Sequence, residues 1–336
     1  MGFSKKLVGA AVAGLMLLSA CGGGQGQAES TEAPQELGRE LKLSINQTED
    51  HPNYIALNNL GERMRERTDG RINIEVYANA VLGAQTDSMV SLQEGVIDIA
   101  SLSAPQLVNL NPDFQVLDLP LVFDSVDHQM EALNDPELMG ELYNSLADKN
   151  MIVTGAYTQG ERSVYNNKRP IVTPDDMKGL KIRVQETDMQ VKMIEGMGGV
   201  ASPMAFGEVY SALQTGVIDG AENNQVSYIT MKHNEVAKYF SYTRHLIGAD
   251  LTIVSKKVWD TWSDEDKEIW QEEFLASVDE FNELWLAKVA DAEEQTKALG
   301  SEYNEVDAEA FREVLAPVTE AALVTDNQKA LYEAFR

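Results

Sequence analysis

Two arginines carry the most specific chemistry that this sequence can do. Arg183 stands in Lys178-Gly179-Leu180-Lys181-Ile182-Arg183-Val184, and Arg162 closes Tyr157-Thr158-Gln159-Gly160-Glu161-Arg162. A guanidinium is a rigid two-pronged donor that matches a carboxylate. Two of them facing one crevice would hold an organic acid in a fixed pose. The other reading of Arg183 is a surface or structural ion pair. Enzymatic chemistry finds little support. The four histidines, His51, His128, His233 and His245, have no metal-ligand spacing. Gly196-x-Gly198-Gly199 lacks a third glycine and follows a helix, so it is not a phosphate cradle. No serine sits in a nucleophile elbow. With 54 acidic residues, any chance pair of carboxylates is uninformative. The expectation is a binding module with no catalytic residue, no metal and no cofactor.

The elements around Arg183 decide what it can face. Leu180 to Val184 alternates as a strand, and a helix follows to about Met197. Val200 to Pro203 is a second strand, Phe206 to Gln214 a helix, and Val217 to Ala221 a third strand, with Asn223 directly after. Strand, helix, strand, helix, strand implies parallel pairing with right-handed crossovers. Ligands collect at the carboxyl ends of such strands, which places Arg183, the Ser202 to Phe206 turn and Asn223 on one edge. Upstream, strands are expected at Leu41 to Asn46, Arg71 to Tyr77, Val96 to Ser101 and Met151 to Tyr157. Helices are expected at Asn53 to Thr68, Gln85 to Gln93 and across Val126 to Lys149. Arg162, just past the last of these strands, falls near a hinge.

An internal echo supports two similarly built halves. Leu92 to Ala100 matches Leu213 to Ala221 at seven of nine positions, 121 residues apart. Each copy reads as helix, glycine stop and buried strand, although glycine ends many helices. Downstream, Val226 to Lys232 reads as a helix, and Tyr239 to Thr243 and Asp250 to Ser255 as two strands. A long helix then opens at Ser263 and runs to about Leu299. At 1.5 Å per residue it is roughly 50 Å long, enough to bridge two lobes. Ala308 to Phe335 is helical, interrupted at Pro317.

The chain has 336 residues and one cysteine. Lys5, Lys6, the apolar run Leu7 to Leu18 and Leu18-Ser19-Ala20-Cys21 form a lipoprotein-type signal over 1–20, with lipid expected on Cys21. Residues 21–38 read as a flexible tether to an extracytoplasmic body. Without residues 1–20, 25 basic residues face 54 acidic ones, a net charge of −29. So acidic a body does not bind nucleic acid through its surface. About 300 residues exceed one ordinary core. The expected division is 39–160 plus 249–288 for lobe I and 161–248 plus 289–336 for lobe II.

Three ordered motifs resemble the solute-binding subunits of tripartite ATP-independent periplasmic (TRAP) transporters. They are Asp176-Met177-Lys178-Gly179-Leu180-Lys181-Ile182-Arg183-Val184, Pro203-Met204-Ala205-Phe206-Gly207-Glu208-Val209-Tyr210, and Ala212-Leu213-Gln214-Thr215-Gly216-Val217-Ile218-Asp219-Gly220-Ala221-Glu222-Asn223. The resemblance runs from about Leu41 through the long helix. It implies a two-lobed α/β periplasmic-binding-protein-like fold with hinge strands and a long helix spanning both lobes. It implies that Arg183 pairs with a substrate carboxylate and that Arg162, Phe206, Asn223 and Asn46 share the site. It also implies membrane permease subunits as partners. The acidic residue that sialic acid binders carry after their corresponding strand is missing from Ile99-Ala100-Ser101-Leu102-Ser103, which argues against sialic acid. Arg183-Val184-Gln185-Glu186, with Glu222-Asn223-Asn224 and Ser227-Tyr228, resembles members that take sugar acids such as glucuronate or galacturonate. His51 would hydrogen-bond a sugar hydroxyl or else sit at a solvated helix start. A C4-dicarboxylate or 2-oxo acid ligand stays open, as do an enzyme acting on sugar acids and a surface adhesin that binds no ligand.

Overall fold

The computed structural model describes residues 38–336. Cys21 and the expected signal lie outside the described residues, as does the tether up to residue 37. In chain order the first half runs β1 (Glu40–Ser44), α1 (Pro52–Arg67), β2 (Asn73–Tyr77), α2 (Gln85–Glu94), β3 (Ile99–Ser103), α3 (Val126–Leu133), α4 (Pro136–Asn144) and β4 (Met151–Asn166). The second half runs β5 (Lys181–Val184), α5 (Asp188–Gly196), β6 (Val200–Pro203), α6 (Val209–Thr215), β7 (Gly220–Asn223), α7 (Gln225–Thr230) and β8 (Tyr239–Ser255). It is completed by α8 (Lys256–Trp259), α9 (Asp264–Ala298), β9 (Glu302–Glu305), α10 (Ala308–Ala322) and α11 (Asp326–Ala334).

One mixed sheet runs through both lobes in the order β2-β1-β3-β8-β4-β7-β5-β6, with β9 beside β8. β1 pairs parallel with β2 and β3, and β5 pairs parallel with β6 and β7. The two parallel groups are joined by β4 and β8, which pair antiparallel from Met151 and Ser255 to Asn166 and Tyr239. β3 lies along Asp250 to Val254 of β8, and β7 lies along Ser163 to Asn166 of β4. The crossing strands therefore serve both lobes. This corrects the expected strand ending at Tyr157 and the expected pair Tyr239 to Thr243 and Asp250 to Ser255. β4 is buried along its length except at Glu161, and bulges near Gly155 and Gly160 interrupt its register. A strand covered on both faces loses the alternation that marks a strand in sequence.

The echo has a structural basis. Gly95 and Gly216 both end their helices in the left-handed region, at φ 76° and 73°, where a side chain would strain the backbone. Three residues on, Asp98 accepts from the Lys42 N–H at 2.9 Å, and Asp219 accepts from the Lys181 N–H at 3.0 Å. Each aspartate ties its turn to the lobe's central parallel strand.

The long helix α9 holds the lobes together from one side. Ser263 caps it by accepting from the Asp266 N–H at 3.1 Å. Its first half binds α1 through Arg63–Glu273 at 2.7 Å and Arg63–Glu280 at 2.9 Å. Trp270, Phe274, Phe281 and Trp285 enter the first lobe's core beside Tyr157. Its last turn reaches the second lobe, where Thr296 bonds the Tyr303 hydroxyl at 2.6 Å. The segment expected in lobe II, 289–336, divides. α10 buries Phe311 and Leu315 in the second lobe's core. α11 returns to the first lobe, where the Phe335 ring packs at a tilt with its centre 5.0 Å from that of Phe123 and Thr325 donates to Asp113 at 2.7 Å. Spacing shows that α11 has an apolar face, but not which lobe receives it. Pro317 lies inside α10 without ending it.

Candidate functional site

Arg183 lies near the carboxyl end of β5, between Ser202 of β6 and Ala221 of β7. Its Nε donates to the Met204 carbonyl at 2.9 Å, and its guanidinium sits 5.8 Å from the centre of the Phe206 ring. It is only 4% exposed. No carboxylate of the described residues forms an ion pair with it. Burial pushes its pKa down to about 10, so it remains a cation at neutral pH.

Arg162 is fully buried on β4 and differently placed. Its Nε and Nη2 grip the Glu222 carboxylate at 2.6 Å each. Its Nη1 donates to Gln159 Oε1 at 2.6 Å and to Asn223 Oδ1 at 3.0 Å. Burial alone would raise the Glu222 carboxyl, but the guanidinium overrides it and the pKa falls to about 2. His245 Nε2 lies 3.5 Å from the same carboxylate. The expected second free cation is thus charge-matched from within. Because Asn223 Oδ1 also accepts from the Asn224 N–H at 2.9 Å, its oxygen is turned towards protein donors and its amide hydrogens remain for the cavity.

The first lobe supplies the opposite wall. His51 is the N-cap of α1, and its Nδ1 accepts from the Asn53 N–H at 3.1 Å. A backbone N–H can only donate, so the imidazole carries its proton on Nε2. Burial lowers its pKa to about 3, which keeps it neutral. His51 is a helix cap but not a solvated one: it is 3% exposed, and Nε2 has no partner among the described residues. Asn46 lies two residues beyond the end of β1, in the loop that leads to His51.

Arg183, Arg162, Asn223, Phe206, Asn46, His51 and Gln185 all line one cavity of about 360 Å³. That volume suits a small ligand. Three residues have roles that the sequence does not reveal. Glu222 sits beside Asn223 but matters only through Arg162, 60 positions earlier. Asp250, buried at 4% exposure, lines the cavity from β8. It accepts from Gln159 at 2.6 Å, Ser103 at 3.1 Å and Asn53 at 3.2 Å. Gln159 links Asp250 to Arg162. The only signal for Asp250 was a lone acid opening an apolar strand run.

The sequence profile of the bacterial extracellular solute-binding proteins, family 7, matches residues 43–326. The chain belongs to that family. A solute-binding protein of Chromohalobacter salexigens is 37% identical over 326 residues, 90% of this chain and 97% of the relative. A TRAP periplasmic solute-binding protein from Sulfitobacter sp. NAS-14.1, solved with bound β-D-galacturonate, superposes with a TM-score of 0.84. It is 37% identical and covers 89% of this chain and 99% of its own. Another from Anaerococcus prevotii, with bound D-glucuronate, superposes at 0.85 with 32% identity over 88% of this chain and 96% of its own. The resemblance to TRAP solute-binding subunits holds, and with it the two-lobed fold. Members of family 7 are extracytoplasmic transport proteins, and among the described residues no helix is long and apolar enough to cross a membrane.

A buried carboxyl also joins the two lobes. Asp118, from the first lobe, accepts from the Gln190 amide and from Thr187 at 3.5 Å, both at the start of α5. Burial raises its pKa to about 8. A carboxyl raised above its unfolded value stabilises the fold below that value, and the contribution is lost as pH rises through about 8. Asp118→Asn is therefore expected to flatten the fall in melting temperature across that range and to leave the variant more stable than wild type at alkaline pH. Parallel melting curves for the two proteins would mean that Asp118 is not held protonated.

Proposed function

We propose that this protein captures a uronic acid, glucuronate or galacturonate, between its lobes and delivers it unchanged to TRAP membrane permease subunits. The observation that carries this reading is Arg183, a buried cation lining the cavity with no ion-pair partner among the described residues. An organic acid completes that pair. Arg183 would take the carboxylate in two-pronged fashion, with the Asn223 amide beside it. Phe206 would cover an apolar face of the ring. Asn46 and His51 from one lobe and Gln185 from the other would bond hydroxyls. Arg162, charge-matched by Glu222, would hold Asn223 in its donor orientation and present the edge of Nη1. The relatives solved with galacturonate and glucuronate support a sugar acid over a simpler one. We also propose that lipid on Cys21 anchors the body through residues 22–38; Cys21→Ser should release the protein from the membrane pellet.

The test is differential scanning fluorimetry of the full chain against uronates, aldonates, C4-dicarboxylates, 2-oxo acids and sialic acid. A ligand at 100 times its Kd stabilises by about 2.7 kcal/mol, a shift of a few degrees. A shift with a uronate is expected. A shift confined to dicarboxylates or 2-oxo acids would discard the sugar acid. No shift with any acid would remove the carboxylate reading of Arg183.

A further inference from the structure

The cavity is lined by a second ionisable side chain with no ion-pair partner among the described residues, an acid on the opposite lobe. Asp250 sits on β8 where that strand pairs with Ser103 of β3 and Tyr157 of β4. It forms no ion pair with any described residue, because Arg162, the cation on the neighbouring strand, is committed to Glu222. Its partners are neutral donors. The Gln159 amide is fixed in orientation, since its Oε1 accepts from Arg162 and its Nε2 must therefore face Asp250. Ser103 shares the same Asp250 oxygen, and Asn53 bonds the other. Burial pushes the Asp250 carboxyl above the usual carboxylate range, and the hydrogen bonds from Gln159, Ser103 and Asn53 together with the nearby Arg162 act against that rise.

We infer that Asp250 is a specificity-determining residue that selects hydroxylated monocarboxylates and rejects dicarboxylates. The inference rests on the reading that Arg183 holds the ligand carboxylate. With that end placed on the second lobe, the far end of the ligand meets the wall that carries Asp250. Both Asp250 oxygens already accept from protein donors, and a ligand hydroxyl, which can donate or accept, fits beside the carboxyl in either protonation state. A second ligand carboxylate would set two acidic groups side by side in a buried site, where both cannot ionise without repulsion and Arg162 is already committed to Glu222. The donor and acceptor arrangement thus fits an acid at one end and hydroxyls at the other.

Isothermal titration of the full chain with D-glucuronate and with D-glucarate, which carries a second carboxylate at the far end, tests this. The wild type is expected to prefer D-glucuronate by at least about tenfold. Asp250→Asn is expected to weaken D-glucuronate and to shift the ratio of the two affinities towards D-glucarate by about tenfold or more. An equal loss for both acids would reduce Asp250 to a structural role and overturn the assignment. Wild type binding D-glucarate as tightly as D-glucuronate would overturn it as well, however well the variant folds. Wild type binding neither acid would instead bring down the uronate reading on which the inference stands.

Discussion

Arg183→Ala is expected to weaken binding of the captured acid by about 2–5 kcal/mol, roughly thirty- to several-thousand-fold in Kd. The loss is large because the ligand carboxylate would be left buried without its partner. Arg183→Lys should fall between the two. It keeps a charge but loses the planar fork and the Nε contact to Met204. The same substitution should behave differently in the unliganded protein. A buried cation with no counter-ion is costly to the fold, so Arg183→Ala should melt no lower than wild type without ligand. Calorimetric titration and unliganded melting curves together check the argument. Affinity within a few-fold of wild type would remove Arg183 from the site, and a large drop in unliganded stability would recast it as structural.

Glu222→Gln is expected to destabilise the protein by about 3–5 kcal/mol, because it leaves Arg162 buried beside a neutral partner. Urea unfolding reads this directly. The double replacement Arg162→Leu with Glu222→Leu should recover much of that stability, since it removes both charges. It should not recover binding, because Asn223 loses the donor that sets its orientation. The pH dependence carries the same signature. The Glu222 carboxyl is held down at about 2, so its contribution is present above the unfolded carboxylate range and is lost as pH falls towards 2. A single variant within about 1 kcal/mol of wild type would show that the buried pair contributes little to stability.

Residues near each other in sequence were the legible ones. The helix, glycine stop and aspartate of Leu92 to Ala100 and of Leu213 to Ala221 announced two lobes of one design. The structure adds that Asp98 and Asp219 make the same backbone bond in each. The cap at Ser263 and the unbroken run behind it announced the long helix, since both are written within a few turns. The carboxyl edge of β5, β6 and β7 was legible for the same reason, because strand and crossover follow one another along the chain. The crossing strands β4 and β8 were not, since their burial comes from both lobes and erases the period of two. Nor was the return of α11 to the first lobe, because an apolar face names no partner.

The sequence by itself determined that this chain carries two guanidiniums near one crevice and an amide beside them. It did not determine which guanidinium is available to a ligand. Only the tertiary structure decided that, by setting Glu222 against Arg162 across 60 positions and leaving Arg183 without an ion-pair partner among the described residues. It likewise carried Asp250, 67 residues beyond Arg183, into the same cavity from the other lobe. Charge balance in a buried site depends on which side chains the fold brings within a few ångströms, and separation along the chain does not encode that distance.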